Sequence, residues 1–228
     1  MSVLVDTWEF LTAADSWPGQ RGILARGRAH VWISMVATTI AAAIAIPSAI
    51  LLAHRRWLPI MSVAVINVGR ALPSFAIIAL LFPLSIQYGF GLGFWPTCVA
   101  LVALGVPPMF TNTYAGIAGT PPELVEAGRG IGMTGGELLR KVELPSALPL
   151  VFTGLRVSAV QIVATATLGA IVGYECLGSF IVAGLARGSA GQPSMLAGAI
   201  LVAGLAIMVD VTLNALEPRF TPWLHRVR

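Results

Sequence analysis

Residues 31–53 read VWISMVATTIAAAIAIPSAILLA, twenty-three positions without one acid or base. An α-helix of that length covers about 35 Å, enough to cross a hydrocarbon core of about 30 Å. The rest of the chain has the same character. Of 228 residues, 57% are hydrophobic and 11% charged, with a mean hydropathy of +0.85. Soluble domains carry about 25% charged residues, so these charges cannot cover a water-facing surface. The composition describes an all-α, multi-pass membrane protein.

Four further stretches are long and apolar enough to cross: Leu58–Leu84, which carries Asn67 and Arg70, then Phe94–Ala118, Leu148–Val172 and Met195–Leu216. Five transmembrane helices result. No cleaved signal peptide is expected, because Asp6, Glu9 and Asp15 interrupt any early apolar core. Val3–Leu11 can form a short interfacial helix with Trp8 and Phe10 at headgroup level, and Trp17-Pro18-Gly19 breaks the chain before the first span. Cys98 and Cys176 lie in apolar surroundings without metal or redox spacing and read as packing residues. His30, His54 and His225 read as ordinary residues at membrane edges.

Lys and Arg set the orientation. Arg55 and Arg56 follow the first span, Arg129, Arg140, Lys141 and Arg156 flank the third connection, and Arg219, Arg226 and Arg228 follow the fifth. Those nine define a cytoplasmic side, against Arg21, Arg26, Arg28 and Arg187 on the other. The N-terminus is then outside and the C-terminus inside. Residues 1–29 form an extracytoplasmic segment, 30–217 a transmembrane domain with a cytoplasmic loop at about 119–147, and 218–228 a basic cytoplasmic tail. A net charge of +4 without a continuous basic stripe argues against nucleic acid.

The cytoplasmic loop, 120-TPPELVEAGRGIGMTGGELLRKVELP-145, has internal order. Thr120 with Glu123 has capping-box spacing, with Pro121 at the first helical position. Thr134 with Glu137 repeats it. Gly130 and Gly132 can end the first helix with positive φ, and Arg140 and Lys141 suit the end of the second. Pro145 is expected to stop simple continuation into the fourth span. The result is a helix–Gly turn–helix with apolar surface from Leu124, Val125, Ile131, Leu138 and Leu139. Helix physics alone leaves two uses open, a docking element or a pair packed under the bundle.

Glu126-Ala127-Gly128, three residues, Gly132, nine residues, then Val142-Glu143-Leu144-Pro145 resembles the EAA loop of ABC importer permeases at every spacing. Gly128 replaces the second Ala and Val142 an Ile, and Gly128 lowers helix propensity by up to about 1 kcal/mol. Gly69–Ala76, Gly130–Pro149, Gly154–Gln161 and Ile171–Gly173 are similar to the osmoprotectant branch, which handles glycine betaine, carnitine and choline. The resemblance covers about residues 29–219.

It implies an inner-membrane permease subunit that works with a second permease, a cytoplasmic ABC ATPase, an extracytoplasmic solute-binding protein and membrane lipid. Glu126, Ala127, Gly128, Gly132, Val142, Leu144 and Pro145 would couple it to the ATPase, with Ala127 kept small so that the helix can seat. ATP and Mg would sit on the partner. This chain has no Walker motif, and no cofactor, metal or catalytic residue is expected in it.

Polar residues at membrane depth are expensive and often functional. Arg70, Pro73, Ser74, Gln161 and Asp210 are the candidate pathway or gate residues. Arg70 could equally pair with Asp210 to hold two helices together, and Ser158 and Thr165 could line a pathway or act as helix glue. Asp210 and Asn214 share one face. Pro73 breaks the second span. Tyr174 and Glu175 could meet the binding protein or lie in a solvated loop. Three functions remain: an osmoprotectant permease, a permease for an amino acid such as methionine, and a scaffold subunit without a pathway. The substrate, the homo- or heteromeric state of the dimer and any osmotic regulation are not written in the chain.

Overall fold

A computed structural model describes residues 3–55 and 73–222. They form helices, in order α1 (Val3–Thr12), α2 (Ile23–His54), α3 (Ser74–Gln87), α4 (Phe94–Ala118), α5 (Pro122–Gly130), α6 (Gly135–Leu138), α7 (Leu144–Thr165), α8 (Gly178–Ala186) and α9 (Gln192–Phe220). A π-turn at Leu139–Glu143 joins α6 to α7, and 3-10 turns at Ala166–Val172 and Gly188–Gly191 follow α7 and α8. Arg56, Asn67, Arg70 and most of the expected second span lie outside the described residues, as do the last six residues.

Four helical runs are long and apolar enough to cross a membrane: Ile23–His54, Phe94–Ala118, Gly135–Val172 and Gly188–Phe220. The third expected span coincides with α4, and the fourth ends where expected, at Val172. α2 begins well before Val31, at Ile23. α3, at 14 residues, covers only about 21 Å and starts at Pro73, whose extended backbone (ψ 122°) makes it the N-cap. Pro73 thus stands outside the helix, and the part of the expected second span before it lies outside the described residues.

α2, α4 and α7 make the core. Ala37, Ala41, Ala45, Ala49 and Ala53 recur every fourth residue on α2, and all are buried. Without bulky side chains along that stripe the helix backbones come close, which is how helices associate where lipid removes the hydrophobic drive. On α4, a Cβ built on Gly105 would stand 3.2 Å from the Ala41 Cβ and 2.7 Å from the Ile162 Cδ1 on α7. Ser158 donates to the Gly105 carbonyl at 2.8 Å in the same seam.

The stretch after Val172 is more than a loop. α8 packs its Phe180 with Ile23, Leu177 and Val202, and Phe10 of α1 meets the Phe180 ring edge-on at 5.7 Å. α1 thus turns Phe10 inward while Trp8 stays 68% exposed. Tyr174 donates to the Ala29 carbonyl at 2.8 Å, and Arg26 pairs with Glu175 at 2.9 Å while its guanidinium lies 4.5 Å from the centre of the Phe180 ring. Tyr174 and Glu175 therefore fasten the α7–α8 connection to α2, with Glu175 still exposed to solvent. Burial pushes the Tyr174 phenol up to about 12. Cys98 and Cys176 are both buried and unbridged. His30 is not an edge residue, since it is fully buried with Nε2 2.9 Å from the Val163 carbonyl oxygen.

Candidate functional site

The loop between α4 and α7 folds as a helix–turn–helix whose turn is closed by hydrogen bonds on both sides. α5 stops in a Schellman arrangement: the Gly132 N–H donates to the Arg129 carbonyl and the Met133 N–H to the Gly128 carbonyl, both at 3.0 Å. Gly132 occupies the left-handed position with φ +82°, whereas Gly130 stays helical. The expected turn glycine is thus Gly132 alone.

At the start of α6 the Glu137 N–H donates to Thr134 Oγ1 at 3.4 Å, and Glu137 Oε2 accepts from the Thr134 N–H at 3.0 Å. This is the capping box that the spacing predicts. Lys141 donates to the other Glu137 oxygen at 3.1 Å. The Thr134 N–H, with Lys141 and the Thr134 hydroxyl, holds this loop carboxyl at about 2.

Two expectations for the loop are corrected. The Thr120–Glu123 box does not form, because α5 starts at Pro122 with Pro121 as its N-cap. Pro122 pushes the residue before it out of the helical region, so Pro121 is extended (ψ 129°) and Thr120 falls one position too early. Pro145 does not stop the helix either. A proline in a helix removes one hydrogen bond and presses on the carbonyl four residues back. Here the π-turn inserts a residue just before it, and the Leu144 N–H reaches back to Leu139. The loop helix therefore runs without a break into the fourth span.

The expected coupling residues divide by face. Glu126, Ala127 and Gly132 are exposed, next to Leu124 at 48% and Ile131 at 77% exposure. Gly128 is buried, and Val142, Leu144 and Pro145 are half-buried. A Cβ on Gly128 would lie 2.8 Å from Leu138 Cδ1 and 3.3 Å from Met133 Sδ, so the missing methyl leaves room for the second helix. Leu144 packs with Ala53, Ile117, Ala147 and Val151 and seats the loop on the bundle. One contact has no local sequence signal: His54 Nδ1, at the end of α2, lies 2.5 Å from Glu143 Oε2 in the π-turn. His54 is thus part of the loop's seat, not a bystander at the membrane edge.

Among the membrane-depth candidates, Ser158 is buried in a helix seam, and Gln161 is exposed on α7. Asp210 meets Arg156, whose Nε lies 3.5 Å from Asp210 Oδ1 and whose Nη1 donates to Asn214 Oδ1 at 2.7 Å. Arg156, read from sequence as a flank of the cytoplasmic loop, stands well inside α7. Pro73 is exposed and Ser74 half-buried at the start of α3.

Residues 32–222 match the family described as "Binding-protein-dependent transport system inner membrane component". The chain is 37% identical over 194 residues to the glycine betaine/carnitine/choline transport system permease protein OpuCB of Bacillus subtilis, covering 85% of this chain and 86% of that one. It is 37% identical to the choline transport system permease protein OpuBB of the same organism, over 85% of this chain and 86% of that one. It is 33% identical to the osmoprotectant import permease protein OsmW of Salmonella typhimurium, over 85% of this chain and 89% of that one. In fold it is similar to a chain of the MetNI methionine ABC transporter in an inward-facing conformation, with a TM-score of 0.74, 21% identity and coverage of 87% of this chain and 96% of that one. The match across the spans and the loop between α4 and α7 makes the chain a multi-pass member of the binding-protein-dependent transport system inner membrane component family.

Proposed function

We propose that this permease carries an osmoprotectant, a small quaternary ammonium compound such as glycine betaine, carnitine or choline, released to it by an extracytoplasmic binding protein. The names of its relatives at 33–37% identity support this substrate class over methionine, since the methionine transporter matches in fold at 21% identity. Two permeases form the pathway. We take the chain to cross the membrane five times, the second span being the one read from sequence at Leu58–Leu84, with the N-terminus outside and the C-terminus in the cytoplasm.

One observation carries the coupling. α5 and its C-cap present Leu124, Ala127 and Ile131, apolar and exposed, on a loop whose turn is closed by hydrogen bonds and whose second helix is continuous with a span. Such a face needs a partner, and the partner is a cytoplasmic ATPase. When ATP draws two ATPase subunits together, a rigid loop moves as one body, and the continuous helix carries the motion to the pathway without a hinge to absorb it. Glu126 and Ala127 touch the ATPase, and Gly128, Val142, Leu144 and Pro145 hold the loop to the bundle. ATP and Mg belong to the partner, and this chain performs no chemical step.

Uptake of radiolabelled glycine betaine, choline, carnitine and methionine in a deletion strain at high salt tests the reading. Loss of one or more of the first three, restored by the gene, is the expected result. Loss of methionine uptake alone would overturn the substrate class.

A further inference from the structure

Arg156, Asp210 and Asn214 form a polar cluster within the membrane, between α7 and α9. Asp210 is 18 residues into the 29-residue α9, about 27 Å along a helix of about 43 Å. Arg156 is 12 residues into α7, about 18 Å past its start. A hydrocarbon core of about 30 Å centred on α9 encloses Asp210. Yet the side chains remain 32% and 51% exposed. Charges at that depth do not face lipid, so this surface faces water or another protein subunit.

The pairing is not that of a simple clamp. An arginine that only joins two helices closes on a carboxylate as a fork, with two short parallel hydrogen bonds. Here the short bond, 2.7 Å, goes to the neutral Asn214 amide, and the Asp210 carboxylate stands 3.5 Å from Nε, beyond ordinary hydrogen-bond distance. The guanidinium has five N–H donors. One Nη1 hydrogen is taken by Asn214 and Nε only lies near Asp210, which leaves a fork for an incoming carboxylate, beside an anion able to face a cation. Gln161 stands exposed further along α7 on the outward side.

We propose that Arg156, Asp210 and Asn214 form a transfer site for a zwitterion: Arg156 takes the substrate carboxylate, Asp210 faces its quaternary ammonium, and Asn214 fixes the guanidinium plane. The inference rests on the osmoprotectant reading above and gives it a pathway site. A charged substrate crossing a low-dielectric bundle needs both ends compensated. A loosely made ion pair supplies both and reforms after release.

The test uses the whole transporter, assembled with its ATPase and partner permease in proteoliposomes supplied with the binding protein. Uptake of glycine betaine, which has a carboxylate, is compared with uptake of choline, which has none. Arg156→Lys keeps the charge but not the fork, Arg156→Gln removes both, and Arg156→Asp/Asp210→Arg exchanges the charges. Losing a charge-assisted hydrogen bond to the carboxylate should lower betaine uptake about tenfold in Arg156→Gln and several-fold in Arg156→Lys. Choline uptake should change less than about twofold, because no bond to it is lost. The exchanged pair should not recover betaine uptake. Recovery of both substrates by the exchange would make the pair a helix clamp and overturn the site, as would equal losses for both substrates. A covering subunit would show as poor assembly of all three variants, which also overturns it. A wild-type transporter carrying neither compound would remove the osmoprotectant reading itself, whereas wild-type uptake equalled by the variants would remove only this site.

Discussion

His54 and Glu143 are 89 residues apart in sequence, yet His54 Nδ1 and Glu143 Oε2 lie 2.5 Å apart where the end of α2 meets the π-turn of the coupling loop. Glu143 is 8% exposed, so its carboxylate depends on this partner. The pair ties the end of α2 to the loop that is proposed to couple to an ATPase. Replacing His54 with Ala should cost about 1–3 kcal/mol, the penalty of leaving a nearly buried polar group without its hydrogen bond. Replacing Glu143 with Gln, which keeps an acceptor, should cost less. Thermal unfolding of the purified transporter ranks the two, and equal stability of His54→Ala and wild type would show that the contact is not made.

Gly132 has φ +82° with open space where a Cβ would stand, so only the backbone opposes substitution there. A left-handed residue other than glycine costs about 1–2 kcal/mol, less for Asn and more when the side chain is β-branched. Uptake should therefore fall in the order Gly, Asn, Ala, Val at position 132 with membrane insertion unchanged. Full uptake by Gly132→Val would contradict the turn's role.

Gly154 opposes substitution for the other reason. A Cβ there would stand 2.9 Å from Asn112 Cβ, 3.1 Å from the Pro108 carbonyl oxygen and 3.2 Å from Met109 Cα. Two of those three atoms are backbone and cannot rotate away, so α4 and α7 would have to separate. Gly154→Val should cost about 3 kcal/mol, at the upper end for overpacking, and lower the yield of folded permease in the membrane. A normal yield and melting point would refute the close approach.

Arg26 joins α2 to the α7–α8 connection and α8 through Glu175 and the Phe180 ring. Glu175 is 57% exposed, so water screens the ion pair and it contributes at most about 1 kcal/mol. The ring contact adds about 0.5–1 kcal/mol. Arg26→Ala should therefore be more destabilising than Glu175→Gln, and a double-mutant cycle in thermal unfolding measures the difference. The reverse order would mean that Arg26 owes its place to the carboxylate alone.

Four of the spans were legible because apolar runs of twenty residues with at most one charge have one physical use, and the Thr134–Glu137 cap because its whole signal lies within four residues. Thr120 misled because two adjacent prolines allow two registers, and only the steric effect of Pro122 on Pro121 chooses between them. Pro145 misled because a π-turn has no sequence mark comparable to a capping box. The Ala37-to-Ala53 stripe was readable as a spacing of four, although nothing local says which helix it meets. His54 with Glu143 and Arg156 with Asp210 were out of reach for another reason, since both join distant parts of the chain. Arg156 in particular lies only eight residues past Leu148, where a basic residue reads as the border of a loop.

The exposed face of α5 is proposed to deliver the motion of an ATPase to this bundle. Ala127→Arg puts a long cation on that face without touching the buried side of the loop, because Ala127 is exposed. Membranes expressing the variant with its ATPase and partner permease would be assayed for ATPase co-purification and for binding-protein-dependent uptake. Inserted permease should be present in normal amounts, with co-purified ATPase and uptake both reduced about tenfold or more, as for a charge forced into an apolar contact. Wild-type uptake with the ATPase still bound would contradict it.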